Sequence, residues 1–253
     1  MLDLLFLSTD AWRPEGLESD TVSLLINGQI MVDTGWHPVH NLIREGVPVE
    51  NVRTLLFTHM HQDHCMGLPA MLFYHLNSFH DASSLSIYGP TGLHEIVHKA
   101  LDYAGKYRDF PDVREPAVHA LKPEEALKLA DISILCAPSL HAIAGLMYRF
   151  EDSEGHSIVY SGDTAPTDAA IRFAHGADVL IHEHSWGATR SPKVSNNFCH
   201  SSAEDAALCA RAARVKSLYL VHAHPACAEE SLQAARAIFP NTLRPVAGTR
   251  IRL

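Results

Sequence analysis

The 253-residue chain has little with which to grip a polyanion. Its 20 Lys plus Arg face 29 Asp plus Glu, a formal net charge of −9. That balance argues against a broad electrostatic hold on nucleic acid, which depends on cationic side chains neutralising phosphates. Cysteine is sparse and unpaired. Cys65, Cys136, Cys199, Cys209 and Cys227 show no paired spacing, and their odd number does not suggest a disulfide framework. No apolar run approaches the length of a membrane span. The start, Met1-Leu-Asp-Leu-Leu-Phe-Leu, has no basic segment and turns polar by Ser8, so it reads as a first strand and not as a secretory leader. These absences lead us to expect a reducing, cytoplasmic setting.

Histidine is what the chain has in excess: 18 residues, dispersed, with none at the termini. The densest run is His59-Met-His61-Gln-Asp63-His64, directly after the strand-like Thr54-Leu-Leu-Phe-Thr58. Such a run carries too much titratable surface for a buried core element. Neutral imidazole and carboxylate are the usual nitrogen and oxygen ligands of zinc and its neighbours, so the run points to a divalent metal.

Apolar residues make up 47% of the chain and charged residues 19%, an ordinary globular balance, and no repeat or linker divides residues 1–253 into separate domains. Strands are expected at Thr21–Ile26 and Gln29–Asp33, joined through Asn27-Gly28, a pair that tolerates the positive φ values of a tight hairpin turn. A short helix around His40–Glu45 leads to the strand Arg53–Thr58. After the His-rich run come a helix from Leu68, a strand at Ser84–Tyr88, and a helix from Leu93 to about Ala104 with Thr91 as its expected N-cap. Residues 105–130 read as an insertion or edge element containing a helix-prone Pro123-Glu-Glu-Ala-Leu-Lys stretch. Its cations, Lys106 among them, alternate with acids and suggest a solvated face. Strands return at Ile132–Ala137, Leu146–Glu151, Ser157–Ser161, Val179–His182 and Ser217–Val221. Two late helices follow: Ala203–Arg214, with a capping box at Ser201 and Glu204, and Glu229–Ile238. Residues 185–199 have the polar, turn-rich composition of a loop bordering a site. The fold class is α+β, with two mixed sheets face to face and helices on the outer faces, an αββα sandwich.

One metal needs three or four ligands. Three further candidates each end a predicted strand: His141, Asp163 and His222. The chain then resembles the metallo-β-lactamase fold superfamily, and within it the ribonuclease Z-like branch. The matching stretches are Val32-Asp33-Thr-Gly35, Thr58-His-Met-His-Gln-Asp-His64 with Gly67-Leu-Pro69, His141 upstream of Gly145, Tyr160-Ser-Gly-Asp-Thr164 and Leu220-Val-His222. They run in order through nearly the whole chain. The resemblance implies two divalent metal ions, with zinc as the default and manganese or iron as alternatives. It also implies that His59, His61 and His141 bind the first ion, that Asp63, His64 and His222 bind the second, and that Asp163 bridges them. Two such ions acidify a bridging water and neutralise charge on an oxygen under attack. Asp63 has a second expected task, orienting that nucleophile.

Two more segments sharpen the branch. Ile181-His182-Glu183-His184-Ser185 resembles the His-Glu-Ala-Thr segment of these enzymes, and Cys199-His200-Ser201-Ser202 their Gly-His-Ser-Thr segment. By position, Glu183 and His200 form the pair that acts near the leaving group, where a Glu-supported imidazole is a sensible general acid. The chain departs from the branch at one place. Ribonuclease Z proteins carry a basic tRNA-clamping arm before the Ser-Gly-Asp-Thr strand, whereas here only Glu151-Asp-Ser-Glu-Gly155 joins the strands. The resulting expectation is a phosphodiesterase on a small or short nucleotide-like substrate. The alternatives are hydrolysis of carbon esters, lactones, thioesters, β-lactams or sulfate esters, tRNA 3′ processing, and a non-catalytic metal-binding sensor. A homodimer is expected by analogy, and no membrane partner. His37, His40 and His224 are secondary candidates for the pocket, and Cys65 reads as a packing residue.

Overall fold

The structure is a computed structural model that describes residues 1–11, 20–129, 131–190 and 198–253. Its first sheet is formed by β1 (Asp3–Ser8), β2 (Ser23–Ile26), β3 (Ile30–Val32), β4 (Thr54–Leu56), β5 (Ser86–Gly89) and β6 (Ala117–Ala120). The second sheet begins with β7 (Ala126–Leu129), β8 (Ile132–Pro138), β9 (Leu146–Glu151) and β10 (Ser157–Tyr160), and continues with β11 (Val179–Glu183), β12 (Ser217–Val221) and β13 (Thr242–Leu243). The last strand, β14 (Arg250–Arg252), returns to the first sheet. The orders are β14-β1-β2-β3-β4-β5-β6 and β13-β12-β11-β10-β9-β8-β7. Each sheet is mixed. β1 to β3 are antiparallel and β3 to β6 parallel; likewise β7 to β10 are antiparallel and β10 to β13 parallel.

The strand periodicity of two explains the layers. Leu4, Phe6, Leu24 and Ile26 face inward against Tyr148, Phe150, Ile158 and Ile181 of the other sheet. Their neighbours Leu5, Leu7, Leu25 and Met31 face outward, and are equally buried because α1 (Pro38–Arg44), α3 (Leu68–Phe79) and α4 (Leu93–Tyr103) cover that side. On the far side, Val159, Leu180, Leu218 and Leu220 lie under α5 (Asp168–Ala174), α6 (Ala203–Ala213) and α7 (Ala228–Ile238). The buried face of α6 is built from alanines, which allows the helix to approach the sheet closely. This is the expected αββα sandwich. Among the described residues no helix is long and apolar enough to cross a membrane.

The β2–β3 hairpin forms as expected, with Asn27 at φ 49° and Gly28 at φ 68°. Four local expectations are corrected. The Pro123–Lys128 stretch contributes a strand, β7, which pairs with β8 from Ala126 to Leu129; Leu127 and Leu129 turn to the core while Ala126 and Lys128 face out, so period-two burial overrides helix propensity. Thr91 does not cap α4. Gly92 occupies the N-cap at φ 98°, without a side-chain bond. The capping box of α6 sits one residue later, at Ser202 and Asp205. Ser201 is committed elsewhere, its hydroxyl donating to the Thr164 carbonyl at 2.7 Å. Lys106 is not solvated; its ammonium is buried and donates to the Pro111 carbonyl at 2.8 Å. The helices α2 (Gln62–Cys65) and α5 were not expected from the sequence. Of the expected loop 185–199, residues 191–197 lie outside the described residues.

Replacing the N-cap hydroxyl removes the acceptor for the Asp205 N–H and a donor to its carboxylate. Ser202→Ala should therefore lower unfolding stability by about 1 kcal/mol, read as a lower urea midpoint at unchanged slope.

Candidate metal centre

The site forms where strands of both sheets end at one edge. After β4, the chain runs through Phe57 and Thr58 to His59, which makes an isolated bridge to Gly145 beside the start of β9. His61 has extended backbone and caps α2, a single turn whose helical rise brings Asp63 and His64 round to the same edge. On the second sheet, His141 lies in the β8–β9 connection, Asp163 follows β10, and His222 follows β12 with φ at 57°. Gly162 makes the Asp163 approach feasible. It has φ 53°, and a Cβ there would meet the Thr58 Cβ at 2.9 Å.

Every residue expected to ligate metal is brought together. His59 Nε2 and His141 Nε2 each lie 3.0 Å from His61 Nδ1. His222 Nε2 is 3.1 Å from His64 Nε2 and 3.2 Å from Asp63 Oδ2. Asp163 Oδ2 lies between the two groups, 3.7 Å from His59 Nε2, 4.0 Å from His141 Nε2 and 3.6 Å from His64 Nε2. His59, His61, His141 and Asp163 offer atoms all within 4.8 Å of one another, and so do Asp63, His64 and His222.

The donor chemistry fits divalent cations. One proton on His61 Nδ1 can serve only one of its two imidazole neighbours, so the third nitrogen presents a lone pair to lone pairs. Ligands about 2.0–2.1 Å from a tetrahedral zinc stand roughly 3.3 Å apart, close to these nitrogen separations. Asp163 is buried, and its Oδ1 has no hydrogen-bond partner, standing 3.4 Å from His222 Nδ1. Burial, with positive neighbours, lowers the pKa of His59, His61 and His141, which favours the neutral imidazole that a metal requires. Burial works against the Asp163 carboxylate, yet the charges of His222 and His64 hold it well below the usual range.

Two residues without an expected role position this cluster. Asp33, fully buried with φ at 54°, accepts from the Thr58 N–H and hydroxyl at 2.8 Å and pairs with His64 Nδ1 at 2.8 Å. That contact leaves Nε2 of His64 facing the cluster. Ser185 Oγ lies 2.7 Å from His222 Nδ1 and donates to the His222 carbonyl at 2.8 Å. The signal for Asp33 was present in Asp33-Thr-Gly35, because a ligating imidazole needs a partner on its other nitrogen. Nothing in the sequence marked Ser185 for His222, which is far away along the chain.

Glu183 and His200 also meet. Glu183 is fully buried, and its Oε1 accepts from the Thr164 and Ser201 N–H groups at 3.2 and 3.0 Å and lies 3.0 Å from His200 Nδ1. Its Oε2 accepts from the Ser185 N–H at 2.8 Å. Burial opposes the charged carboxylate, but the His200 bond and charge win and lower its pKa. Burial likewise opposes an imidazolium at His200, and Glu183 overcomes it, raising His200 to about 9. Cations bound alongside would draw that value down. Asp163, His200 and His222 also fall within 4.8 Å of one another, so distance alone does not separate His200 from the ligand set; its bond to Glu183 does.

The remaining candidates lie apart from these groupings. His37 is exposed and pairs with Asp20 at 3.5 Å, and His40 is exposed. His182 and His184 are buried and bond through Nδ1 to the carbonyls of Glu183 and Val221, each at 2.8 Å. His224 accepts from the Ala226 N–H at the turn Pro225–Cys227. Cys65 is buried, which pushes its thiol up to about 11 and suits a packing role.

Comparison with known proteins agrees with this geometry. The profile of the Beta-lactamase superfamily domain matches residues 29–223. Ribonuclease Z of Methanothermobacter thermautotrophicus is 28% identical, over 96% of this chain and 94% of that protein. Ribonuclease BN of Escherichia coli is 29% identical, over 95% and 96%. Among solved structures, the metallo-beta-lactamase fold protein YhfI from Bacillus subtilis superposes with a TM-score of 0.82 at 21% identity, covering 99% of this chain and 98% of its own. The short form of human tRNase Z gives 0.75 at 20%, covering 99% and 98%. The chain belongs to the β-lactamase superfamily, as a metallo-β-lactamase-fold hydrolase related to ribonucleases Z and BN.

Proposed function

We propose that the protein is a dinuclear metal-dependent phosphodiesterase acting on a small or short nucleotide-like substrate. The observation that carries this reading is the buried Glu183 carboxylate bonded to His200 at 3.0 Å, with His200 Nδ1 also 3.7 Å from Asp163. His59, His61 and His141 would hold one ion and Asp63, His64 and His222 the other, with Asp163 shared. Zinc is the default for this nitrogen-rich set, and manganese or iron the alternatives. Two bound ions supply a water acidified towards neutrality and countercharge for a developing oxyanion. Asp63 orients the nucleophile, because its carboxylate is held as the anion and fixed by His222. Glu183 keeps a proton on His200, and His200 delivers it to the departing oxygen. An acyl-transfer site has less need of that acid, which is why phosphodiesters are favoured over lactones or β-lactams.

A small substrate is favoured by the short connection between β9 and β10, where Asp152 accepts from the Glu154 and His156 N–H groups at 3.0 Å and closes a tight turn. The match to the Methanothermobacter ribonuclease Z extends over 293 positions, more than this 253-residue chain contains, so that relative carries residues with no counterpart here.

With zinc loaded, bis(p-nitrophenyl) phosphate should be hydrolysed, and a lactone and a cephalosporin should not. Turnover of the carbon substrates alone would remove the phosphodiesterase reading. Asp63→Ala should abolish diester turnover while circular dichroism remains native; unchanged turnover would contradict the assigned site. His200→Ala should cost about 10²–10³-fold with an alkoxide leaving group and far less with p-nitrophenolate, which leaves without a proton. Glu183→Gln removes the charge that raises His200. Its alkaline loss of alkoxide-ester turnover should therefore begin at lower pH than in the wild type, and a coincident pH profile would count against the pair.

A further inference from the structure

Beside the metal-binding side chains lies a cavity of about 840 Å³, within the range of pockets that enclose a small ligand, about 300–1,000 Å³. Two large aromatic side chains line it, Trp186 and Phe198. Neither belongs to any of the three apolar cores, and Phe198 is 65% exposed. Among the described residues neither ring stacks on another aromatic ring, and Trp186 is partly exposed. Trp186 is nevertheless firmly placed. Its backbone N–H donates to the Ser201 carbonyl at 3.0 Å, and the next residue, Gly187, turns at φ 94° with its N–H on the His184 carbonyl at 2.9 Å. The flanking residues Ser185 and Ser201 are the ones that hold His222 and Glu183. The indole is thus registered to the reacting centre by the same backbone that positions the acid pair.

The cavity is equally informative in its charge. Among the described residues no Lys or Arg lines it. Among the described residues positive charge there is confined to His200, which with the cations the site would hold suits one phosphate better than a chain of them. We infer that Trp186 and Phe198 form an aromatic clamp that selects single-phosphate esters carrying a flat ring, aryl or nucleobase, over alkyl esters and polyphosphates. Stacking on an aromatic side chain is tolerant of which ring is presented and strengthens binding about five- to hundredfold per ring. Met60, which also lines the cavity, adds a polarizable surface of the kind that adapts to rings. The inference rests on the phosphodiester reading for its reaction, but ring selectivity is a property of binding and can be measured without turnover.

The test is calorimetric titration of the zinc-loaded protein with thymidine 5′-monophosphate and with methyl phosphate, which share the phosphate head and differ in the deoxyribose and its thymine ring. The nucleotide should bind roughly tenfold tighter or more. Trp186→Ala and Phe198→Ala should each bring that ratio towards one, while Trp186→Phe retains most of it. Because Phe198 is exposed, its truncation leaves the fold intact even if the Trp186→Ala protein is unstable. Equal binding of the two ligands by the wild type, or a ratio that survives both alanine substitutions, would overturn the clamp. If no diester is hydrolysed but the ratio and its loss are observed, the reaction assigned above fails and the clamp stands.

Discussion

The buried carboxylate of Asp163 is the constraint on which the site depends. It is 3% exposed, and one of its oxygens has no hydrogen-bond partner while the other stands within 4.0 Å of nitrogens from His59, His64, His141 and His200. An anion removed from water in this way is costly unless cations surround it. The convergent imidazoles offer lone pairs in return, and lone pairs facing one another are no more stable alone. Each half of the arrangement calls for what a pair of divalent ions provides. The fold must then hold five imidazoles and two carboxylates in register, and much of its local detail follows from that demand.

The sandwich meets the demand through its edges. Both sheets run from an antiparallel half into a parallel half, so β3, β4, β10, β11 and β12 send their carboxyl ends to one rim. All the candidate ligands but His141 ride on the segments that follow β4, β10 and β12, where the backbone is free to depart from the ladder, and His141 reaches the same rim from the β8–β9 connection. Left-handed backbone at Asp33, Gly162 and His222 marks three of these departures. Non-glycine residues tolerate that region at a cost, and at Asp33 and His222 the bonds to Thr58, His64 and Ser185 fix the side chain in return. The strictest case is Gly162, because any Cβ would strike Thr58.

A second layer of the site converges on Glu183. Three backbone N–H groups and one imidazole satisfy its two oxygens, so the charge is stable despite complete burial. The segments that supply those donors are the one after Asp163, the one leading to Trp186 and the one entering α6. Displacement of the α6 capping box by one residue has its reason here: Ser201 serves Glu183 and Thr164, leaving Ser202 to cap the helix. The same coupling ties the lining of the cavity to the reacting centre.

The chain by itself determined the candidate ligand set, because metal chemistry restricts the residue types and the strand-turn pattern restricts their places. His59, His61, Asp63 and His64 were legible as a local run, His141, Asp163 and His222 as strand-end candidates, and Glu183 and His200 through motif resemblance. The sandwich was legible from alternating apolar strands, β9 and β12 to the residue. Other features were decided only by tertiary structure. The Pro123–Lys128 stretch became an edge strand because β8 offered an unpaired partner, and Lys106 was buried because a carbonyl awaited it. Asp33 on His64 and Ser185 on His222 are pairs separated by 31 and 37 residues, and no local pattern encodes them. The sequence fixes which groups can react, since chemistry resides in residue type. Their partners and the shape of the cavity depend on distant segments meeting, and only folding settles which of those meet.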